Sequence, residues 1–244
     1  MARAATEWVA LLEVDRELAA VVPKAEARAA TESATARSRA LDPGAWDIIA
    51  EYGERSDWLG LLVLDGFVTR AMICEEETTI ELIGPGDLLR PWDHDGDYAL
   101  DVIKTRWRVL EPARLALLDR DFAERIARWP ALMAEILARM GRRNRWLAVR
   151  LTISQLSRIN ARVAYFFWHL AERWGHTTRE GIAIPLRLTH EQIAELIGAE
   201  RPSVSIALQG LHDEGFLERM PDATWRVPLD LPQRLEELLR GSDD

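Results

Sequence analysis

The run Arg201-Pro202-Ser203-Val204-Ser205-Ile206-Ala207-Leu208-Gln209 places a guanidinium, two hydroxyls and an amide within nine residues. A guanidinium can donate two parallel hydrogen bonds to the O6 and N7 edge of guanine. Hydroxyl and amide groups can bond bases or phosphates, and a branched side chain such as Ile206 can pack on a thymine methyl. That chemistry needs the groups on one face of a narrow element. Val204, Leu208 and Leu211 recur at spacings of four and three, the stripe of an amphipathic helix, which leaves Arg201, Ser203, Ser205, Ile206 and Gln209 mostly on the other face. Pro202 belongs in a first helical turn, where its missing N–H costs nothing.

A second helix must hold this one. Thr189, with Gln192 three residues on, has the form of a capping box, and Ile193, Leu196 and Ile197 supply an apolar face. Gly198 stands where a helix can end in a left-handed residue. Thr189 and His190, at the start of this helix, are expected to touch a phosphate backbone. Leu188 to Phe216 is therefore predicted to be a helix-turn-helix whose second helix enters a DNA major groove. An ordinary helical hairpin has the same spacing, and the spacing by itself leaves both open.

The formal charge of −9 is unevenly spread. Residues 1–138 carry 16 basic and 26 acidic side chains, residues 139–228 carry 13 and 9, and residues 229–244 carry 2 and 5. The excess of positive charge coincides with the two helices but is modest, so affinity must come from specific contacts and from more than one subunit. The basic residues are 29 Arg and 2 Lys (Lys24 and Lys104), which reads as a GC-rich coding sequence more than as a binding signal. The single cysteine, Cys74, excludes an internal disulfide and a four-cysteine zinc or iron–sulfur site. No apolar run is long enough for a membrane span, and Glu7, Glu13 and Asp15 interrupt the region that a signal peptide keeps apolar. A cytoplasmic protein with no membrane partner is expected.

Residues 7–22 have apolar side chains at helical spacing and predict one or two short helices ending at Pro23, whereas residues 24–40 have no strong apolar face. After Asp42-Pro43-Gly44 the pattern becomes that of a β domain reaching about Leu118. Strands are predicted at Leu59–Leu64, Phe67–Arg70, Thr78–Ile83, Tyr98–Ile103 and Arg106–Leu110, with turns at Asp65-Gly66 and Gly84-Pro85-Gly86-Asp87. Trp92-Asp93-His94-Asp95-Gly96-Asp97 offers carboxylates and an imidazole to a metal, but Asp/Gly clusters are turn formers first and the segment reads as a solvated loop. His94 and Cys74 read as ordinary residues rather than as haem or redox groups, and Trp58, Trp92 and Trp107 as core.

Over about thirty residues without a gap, LTHEQIAELIGAERPSVSIALQGLHDEGFLER closely resembles the helix-turn-helix of the Crp/Fnr family of bacterial transcription regulators. In that family a glycine closes the first helix and an Arg-x-Ser/Thr-Val-Ser/Thr run opens the recognition helix. Leu62-Val63-Leu64-Asp65-Gly66-Phe67-Val68 and Leu82-Ile83-Gly84-Pro85-Gly86-Asp87 are similar to elements of the cyclic-nucleotide-binding domain that precedes the reader in the family. The resemblance implies an α+β chain with an N-terminal double-stranded β-roll, a long central dimerisation helix and a C-terminal winged helix-turn-helix.

It also marks departures. The family's nucleotide binders follow Gly-Pro-Gly-Asp with Gly-Glu, whose carboxylate holds the ribose, and then with an Arg beside Ser or Thr for the cyclic phosphate. Here Leu89-Arg90-Pro91-Trp92 and Tyr98-Ala99-Leu100-Asp101 stand at those places, and Asp93, Asp95, Asp97 and Asp101 would repel a phosphate. Cyclic AMP and cyclic GMP are accordingly not expected, no cofactor is expected, and the effector is unknown. In the best-known members the positions of Pro202 and Ile206 hold Glu and Arg, which implies a different target sequence for this chain.

Phe122, Ile126 and Trp129 form one face before Pro130. Beyond it Met133, Leu137, Met140, Asn144, Leu147, Leu151 and Ser154 alternate steps of four and three, a coiled-coil seam with Asn144 as a polar member that fixes register. A homodimer interface is predicted there, with a helix packed on its own β domain as the alternative. Arg142, Arg143, Arg145 and Arg150 flank the seam and are expected to be paired or solvated. A hinge is expected around Ser157–Asn160, followed by a helix Ala161–Trp174 whose Val163, Phe166, Phe167 and Leu170 pack under the reader. A strand is predicted at Ile182–Ile184, wing strands at Gly215–Arg219 and Trp225–Val227, and a last helix at Pro232–Leu239.

The domain expectation is residues 1–129 for the sensor roll, 130–157 for the dimerisation helix and 158–244 for the winged helix-turn-helix. Two recognition helices would read a roughly palindromic site. The expected partners are double-stranded DNA and a second copy, with RNA polymerase and a small-molecule effector as further candidates. An enzyme is not expected, since no nucleophile–base pair or phosphate loop is present. The alternative is a small-molecule or metal-binding sensor module that acts mainly through effector or protein binding.

Overall fold

A computed structural model describes residues 7–53, 55–92 and 103–240, which fall into two compact units, residues 1–145 and 146–244. The first unit starts with strand β1 (Glu7–Ala10), helices α1 (Leu11–Val14) and α2 (Arg16–Ala20), a 3-10 turn at Lys24–Glu26, helix α3 (Ala27–Ser33) and strand β2 (Thr35–Leu41). Strand β3 (Gly44–Trp46) and helix α4 (Ile48–Tyr52) lead to strands β4 (Gly60–Asp65), β5 (Val68–Cys74), β6 (Glu77–Ile83), β7 (Leu88–Leu89), β8 (Ile103–Val109) and β9 (Ala113–Leu118). Helix α5 (Arg120–Ile126) follows.

The strands make two antiparallel sheets, a five-stranded one in the order β1-β2-β9-β4-β7 and a four-stranded one in the order β3-β8-β5-β6. The sheets close on a shared core that includes Leu61, Val63, Val68, Ile83, Val109 and Leu115, the double-stranded roll expected. A second core lies on the other face of the larger sheet, where Leu62, Leu88 and Ala116 meet Leu11, Leu18, Phe122 and Ile126. Asp65-Gly66 is the turn predicted from its residues. Gly66 has φ +77, and a Cβ there would lie 2.3 Å from the Pro112 carbonyl oxygen, so only glycine fits.

Two sequence expectations change. The helical spacing of residues 7–22 predicts no strand, yet Glu7–Ala10 pairs with Thr35–Ser38 as the edge of the larger sheet. The pairing is made across a gap of more than twenty residues, which local periodicity does not register. The break expected between strands before Arg106 is absent: Ile103–Val109 is one strand, because Lys104 and Arg106 continue the ladder with β5 while their side chains stay exposed. Most of the strand predicted at Tyr98–Ile103, and Asp93 to Asp101 of the acidic segment, lie outside the described residues.

Helix α6 (Pro130–Ser154) begins in the first unit and ends in the second, and the division falls between Arg145 and Trp146. The dimerisation helix expected over residues 130–157 corresponds to α6, which ends at Ser154. The second unit continues with helix α7 (Ile159–Trp174), strands β10 (His176–Thr178) and β11 (Gly181–Ile184), helices α8 (His190–Ile197) and α9 (Arg201–Asp213), strands β12 (Glu218–Arg219) and β13 (Trp225–Val227), and helix α10 (Leu231–Arg240). Its sheet runs β10-β11-β13-β12. Val163, Phe166, Phe167 and Leu170 of α7 are buried, with the Phe167 ring 4.8 Å from Trp225 of β13, so α7 is the platform on which α9 lies.

Candidate nucleic-acid interface

The reader is held by local chemistry at each end of its first helix. Thr189 Oγ1 accepts from the Gln192 N–H at 3.2 Å while Gln192 Oε1 accepts from the Thr189 N–H at 2.8 Å, a complete capping box that satisfies two orphan donors. Gly198 ends α8 in the left-handed region, φ 65 and ψ 54. The chain then extends through Glu200 and opens α9 at Arg201, with Pro202 in its first turn.

On α9, Val204, Ala207, Leu208 and Leu211 are buried, and Arg201, Pro202, Ser203 and Gln209 are exposed. Ile206 is 75% exposed, the largest exposure among the big apolar side chains of the described residues. Gln209 Nε2 donates to Asp213 Oδ1 at 2.8 Å along the same exposed face.

Ser205 and His190 are drawn together rather than left separate. Both are half-buried, and Ser205 Oγ lies 2.9 Å from His190 Nδ1, which ties the two helices across the turn. Burial, then the Arg219 and Arg201 charges, hold the His190 pKa below its ordinary value, so the ring is neutral near pH 7. Arg201, at the start of α9, is exposed and forms no ion pair among the described residues.

Two supports of the reader have no signal in the sequence. Arg234 of α10 donates to the Glu214 and Gly215 carbonyls and lies 4.1 Å from the Phe216 ring centroid, so a cation caps the C-terminal end of the recognition helix. In the wing, Arg226 pairs with Glu218 at 2.6 Å and with Glu180, and Arg219 lies 5.8 Å from the Trp225 ring centroid. These partners stand 6 to 46 residues apart in the chain, beyond the three- and four-residue spacing of a helix face.

Helix α6 carries two stripes about 100° apart. Leu132, Ile136 and Arg139 are buried, and the Arg143 side chain is largely so. The neighbouring stripe holds Leu137 (52% exposed), Met140, Asn144 and Leu151 (65% exposed), with Leu147 half-buried and Met133 packed against the second core, on the other face of the larger sheet. The flanking arginines are mostly paired within the chain: Arg142 with Glu135 at 2.6 Å and Glu17 at 3.1 Å, Arg143 with Glu81, and Arg150 with the Leu196 carbonyl. Arg145 is exposed.

In the roll, Asp87 Oδ2 accepts from the Gly84 N–H at 2.9 Å and so closes the Gly-Pro-Gly-Asp turn. Where a ribose-binding carboxylate would follow, Arg90 donates to the Trp58 and Leu59 carbonyls, and Trp92 is buried with its ring 5.8 Å from Trp58. A cavity of about 470 Å³ opens nearby between Trp46, Arg70, Arg90 and Trp107. Among the described residues no three His, Cys, Asp or Glu side chains converge on a metal position. No described helix is long and apolar enough to cross a membrane.

A capped helix, a left-handed glycine and a recognition helix laid on α7, followed by a two-stranded wing, define the class. Residues 161–238, about a third of the chain, match the family described as the Crp-like helix-turn-helix domain. Among curated proteins it is similar to the cyclic AMP receptor protein of Thermus thermophilus, 27% identical over 148 residues. That match spans 60% of this chain and 63% of the relative, less than two thirds of the relative's length. Among solved structures, a CooA mutant from Carboxydothermus hydrogenoformans superposes with a TM-score of 0.59 at 20% identity, over 83% of this chain and 87% of that one. A cyclic nucleotide-binding domain containing protein from Listeria monocytogenes superposes with a TM-score of 0.61 at 15% identity, over 88% of this chain and 97% of that one. At these identities the two superpositions are a likeness of fold.

Proposed function

We propose that this chain is a sequence-specific, DNA-binding transcription regulator that acts as a homodimer on a roughly palindromic site and is not gated by cyclic AMP or cyclic GMP. The observation that carries the reading is the outward face of α9, where Arg201, Ser203, Ile206 and Gln209 are exposed on a helix whose opposite face is packed into the unit. Arg201 reads guanine, Ile206 meets a thymine methyl, and Ser203 and Gln209 read bases or phosphates. Pro202, in the first turn of the helix, lies on the same exposed face and takes part in the contact. Thr189 and His190 set the backbone register, with Ser205 bracing His190.

Selection from a random DNA pool, with and without cell extract, tests the reading. Enrichment of one inverted repeat supports it, and retention of no sequence in either arm overturns it. On the selected site Arg201→Ala is expected to cost about 1–3 kcal/mol and to relax preference at one position per half-site. Uniform weakening across all sequences would leave Arg201 a phosphate contact only.

The exposed stripe on α6 supports the homodimer: Leu137, Met140 and Leu151 are apolar, outward and in line with Asn144 and Leu147. Leu137→Asp with Leu151→Asp is expected to give a monomer by sedimentation and to weaken binding to the inverted repeat by roughly 10²–10⁴-fold, the avidity of a second linked contact. Asn144→Leu changes the dimer's stability or register and leaves the reader folded. A double-aspartate variant that sediments as a dimer would place the interface elsewhere.

Arg90, Pro91 and Trp92, where a nucleotide-binding chain would hold ribose, support the absence of cyclic-nucleotide gating. Unchanged DNA affinity with added cyclic AMP or cyclic GMP is the expected result, and calorimetric binding of either would overturn it. The cavity near Arg70 and Trp107 is within the size range of small-ligand sites and supports a sensor role for the roll. Mass spectrometry of the purified protein reads whether it retains a molecule.

A further inference from the structure

We infer that Asp213 is a positioning residue for base reading: it turns the Gln209 amide so that the carbonyl oxygen is what DNA meets, which makes Gln209 a reader of the amino group of adenine or cytosine. This rests on the DNA-binding reading above and narrows what Gln209 does in it.

Pro202, Ile206, Gln209 and Asp213 follow one another along α9 at spacings of four, three and four, so they form a single stripe. All four are exposed, while Val204, Leu208 and Leu211 hold the opposite side of the helix in the unit. The stripe ends on a carboxylate. On a face offered to DNA a carboxylate repels phosphates, so its presence there calls for a different task. Among the described residues Asp213 pairs with no cation, and the group it meets is Gln209, whose Nε2 donates to Oδ1 at 2.8 Å.

The sense of that bond follows from the acceptor. An ionised carboxylate only accepts, so the NH2 end of the amide must face it. The carbonyl oxygen then stands on the other side of the amide group, away from Asp213. A glutamine amide with no neighbour can turn over and lead with a donor or an acceptor, whereas this one is set before DNA arrives. In the major groove adenine N6 and cytosine N4 donate, and guanine O6 and N7 and thymine O4 accept. A glutamine that leads with its oxygen therefore favours A or C on the strand it faces and disfavours G or T. Phosphate oxygens are acceptors as well, so the same orientation withdraws Gln209 from the backbone.

The test repeats selection from a random DNA pool with the wild-type chain, Gln209→Ala, Asp213→Ala and Asp213→Glu. Gln209→Ala locates the position that Gln209 reads, as the one whose preference disappears. There the wild-type chain should favour A or C over G or T by about 2- to 10-fold, the worth of one neutral hydrogen bond. Asp213→Ala should level the four bases at that position alone, since the amide is then free to turn. Asp213→Glu keeps an acceptor within reach and should restore the preference. Removing a negative charge from the stripe should also tighten binding to every sequence evenly, so the base preference is the readout and the affinity is not. A wild-type preference for G or T at that position, no position altered by Gln209→Ala, or an intact preference in Asp213→Ala would overturn the inference. A wild-type chain that enriches no sequence instead overturns the DNA-binding reading, and is seen before any variant is made.

Discussion

Arg139→Ala should lower the stability of the roll by about 3–5 kcal/mol, the cost of removing one partner from a buried charge pair. Arg139 is 3% exposed on α6, with Nη2 2.8 Å from Asp15 Oδ1 and 3.5 Å from Glu17, and Nη1 3.3 Å from the Gly86 carbonyl. Asp15 Oδ1 also accepts from the Leu18 N–H at 3.1 Å and so caps α2. One guanidinium therefore joins the N-terminal helices, the Gly-Pro-Gly-Asp turn and the long helix. Without it the Asp15 carboxylate stays half-desolvated with only its cap to hold it. Hydrogen exchange of the β4 and β9 amides, which report global opening of the roll, measures the loss. Arg139→Met with Asp15→Ser removes both charges and keeps a capping hydroxyl, and should recover most of the stability. A loss below about 1 kcal/mol in the single variant would mean that the pair is screened and carries no structural weight.

The second large effect is one of pH. His169 is 1% exposed on α7, neither ring nitrogen has a hydrogen-bond partner among the described residues, and its ring meets the Trp146 edge. Burial, followed by the Arg173 and Arg150 charges, lowers its pKa to about 3. Above pH 6.5 the ring is neutral in both the folded and the unfolded chain, and its contribution is fully present. As pH falls below 6.5 the unfolded chain takes up a proton that the folded chain refuses, so stability drains away until about pH 3 and changes no further below it. Between pH 7.5 and pH 5 the loss is about 2 kcal/mol, at 1.36 kcal/mol per unit. Denaturant midpoints for the α7 and α9 amides should fall accordingly, and His169→Phe should flatten that slope. His190, whose pKa is also lowered, adds in the same direction, so the difference between the His169 variant and the wild type isolates His169. A His169→Phe chain with an unaltered pH slope would assign the effect elsewhere.

The reader was legible because its determinants are local. Thr189 with Gln192, Gly198, and the Val204–Leu208–Leu211 stripe each act within four residues, and each has the conformation or burial its type and spacing imply. The roll was legible at its turns, Asp65-Gly66 and Gly84 to Asp87, and less so at its edge. Glu7–Ala10 has helical spacing, but the hydrogen bonds of β2 decide its state. The long-range ion pairs were out of reach: nothing near Arg139 or Arg143 in the chain marks them as buried against Asp15, Gly86 and Glu81, which stand between 53 and 124 residues away. The seam posed a choice between a dimer face and a helix packed on the β domain. Adjacent stripes one residue out of phase make room for both on α6, and a single heptad pattern cannot separate them.

The pairing of β2 with β9, Arg37 against Leu117 across 80 residues, also orders events in time. During synthesis the first strands emerge long before the strand that must lie between β2 and β4 has been made. Such distant closure is slow, and until it occurs the edges of β2 and β4 are open to mispairing. The reader's helices meet neighbours close by in the chain and need no such wait. Refolding from denaturant should accordingly be biphasic, with protection of α8 and α9 preceding that of β2, and a chaperone's demand on this chain would arise from its first half.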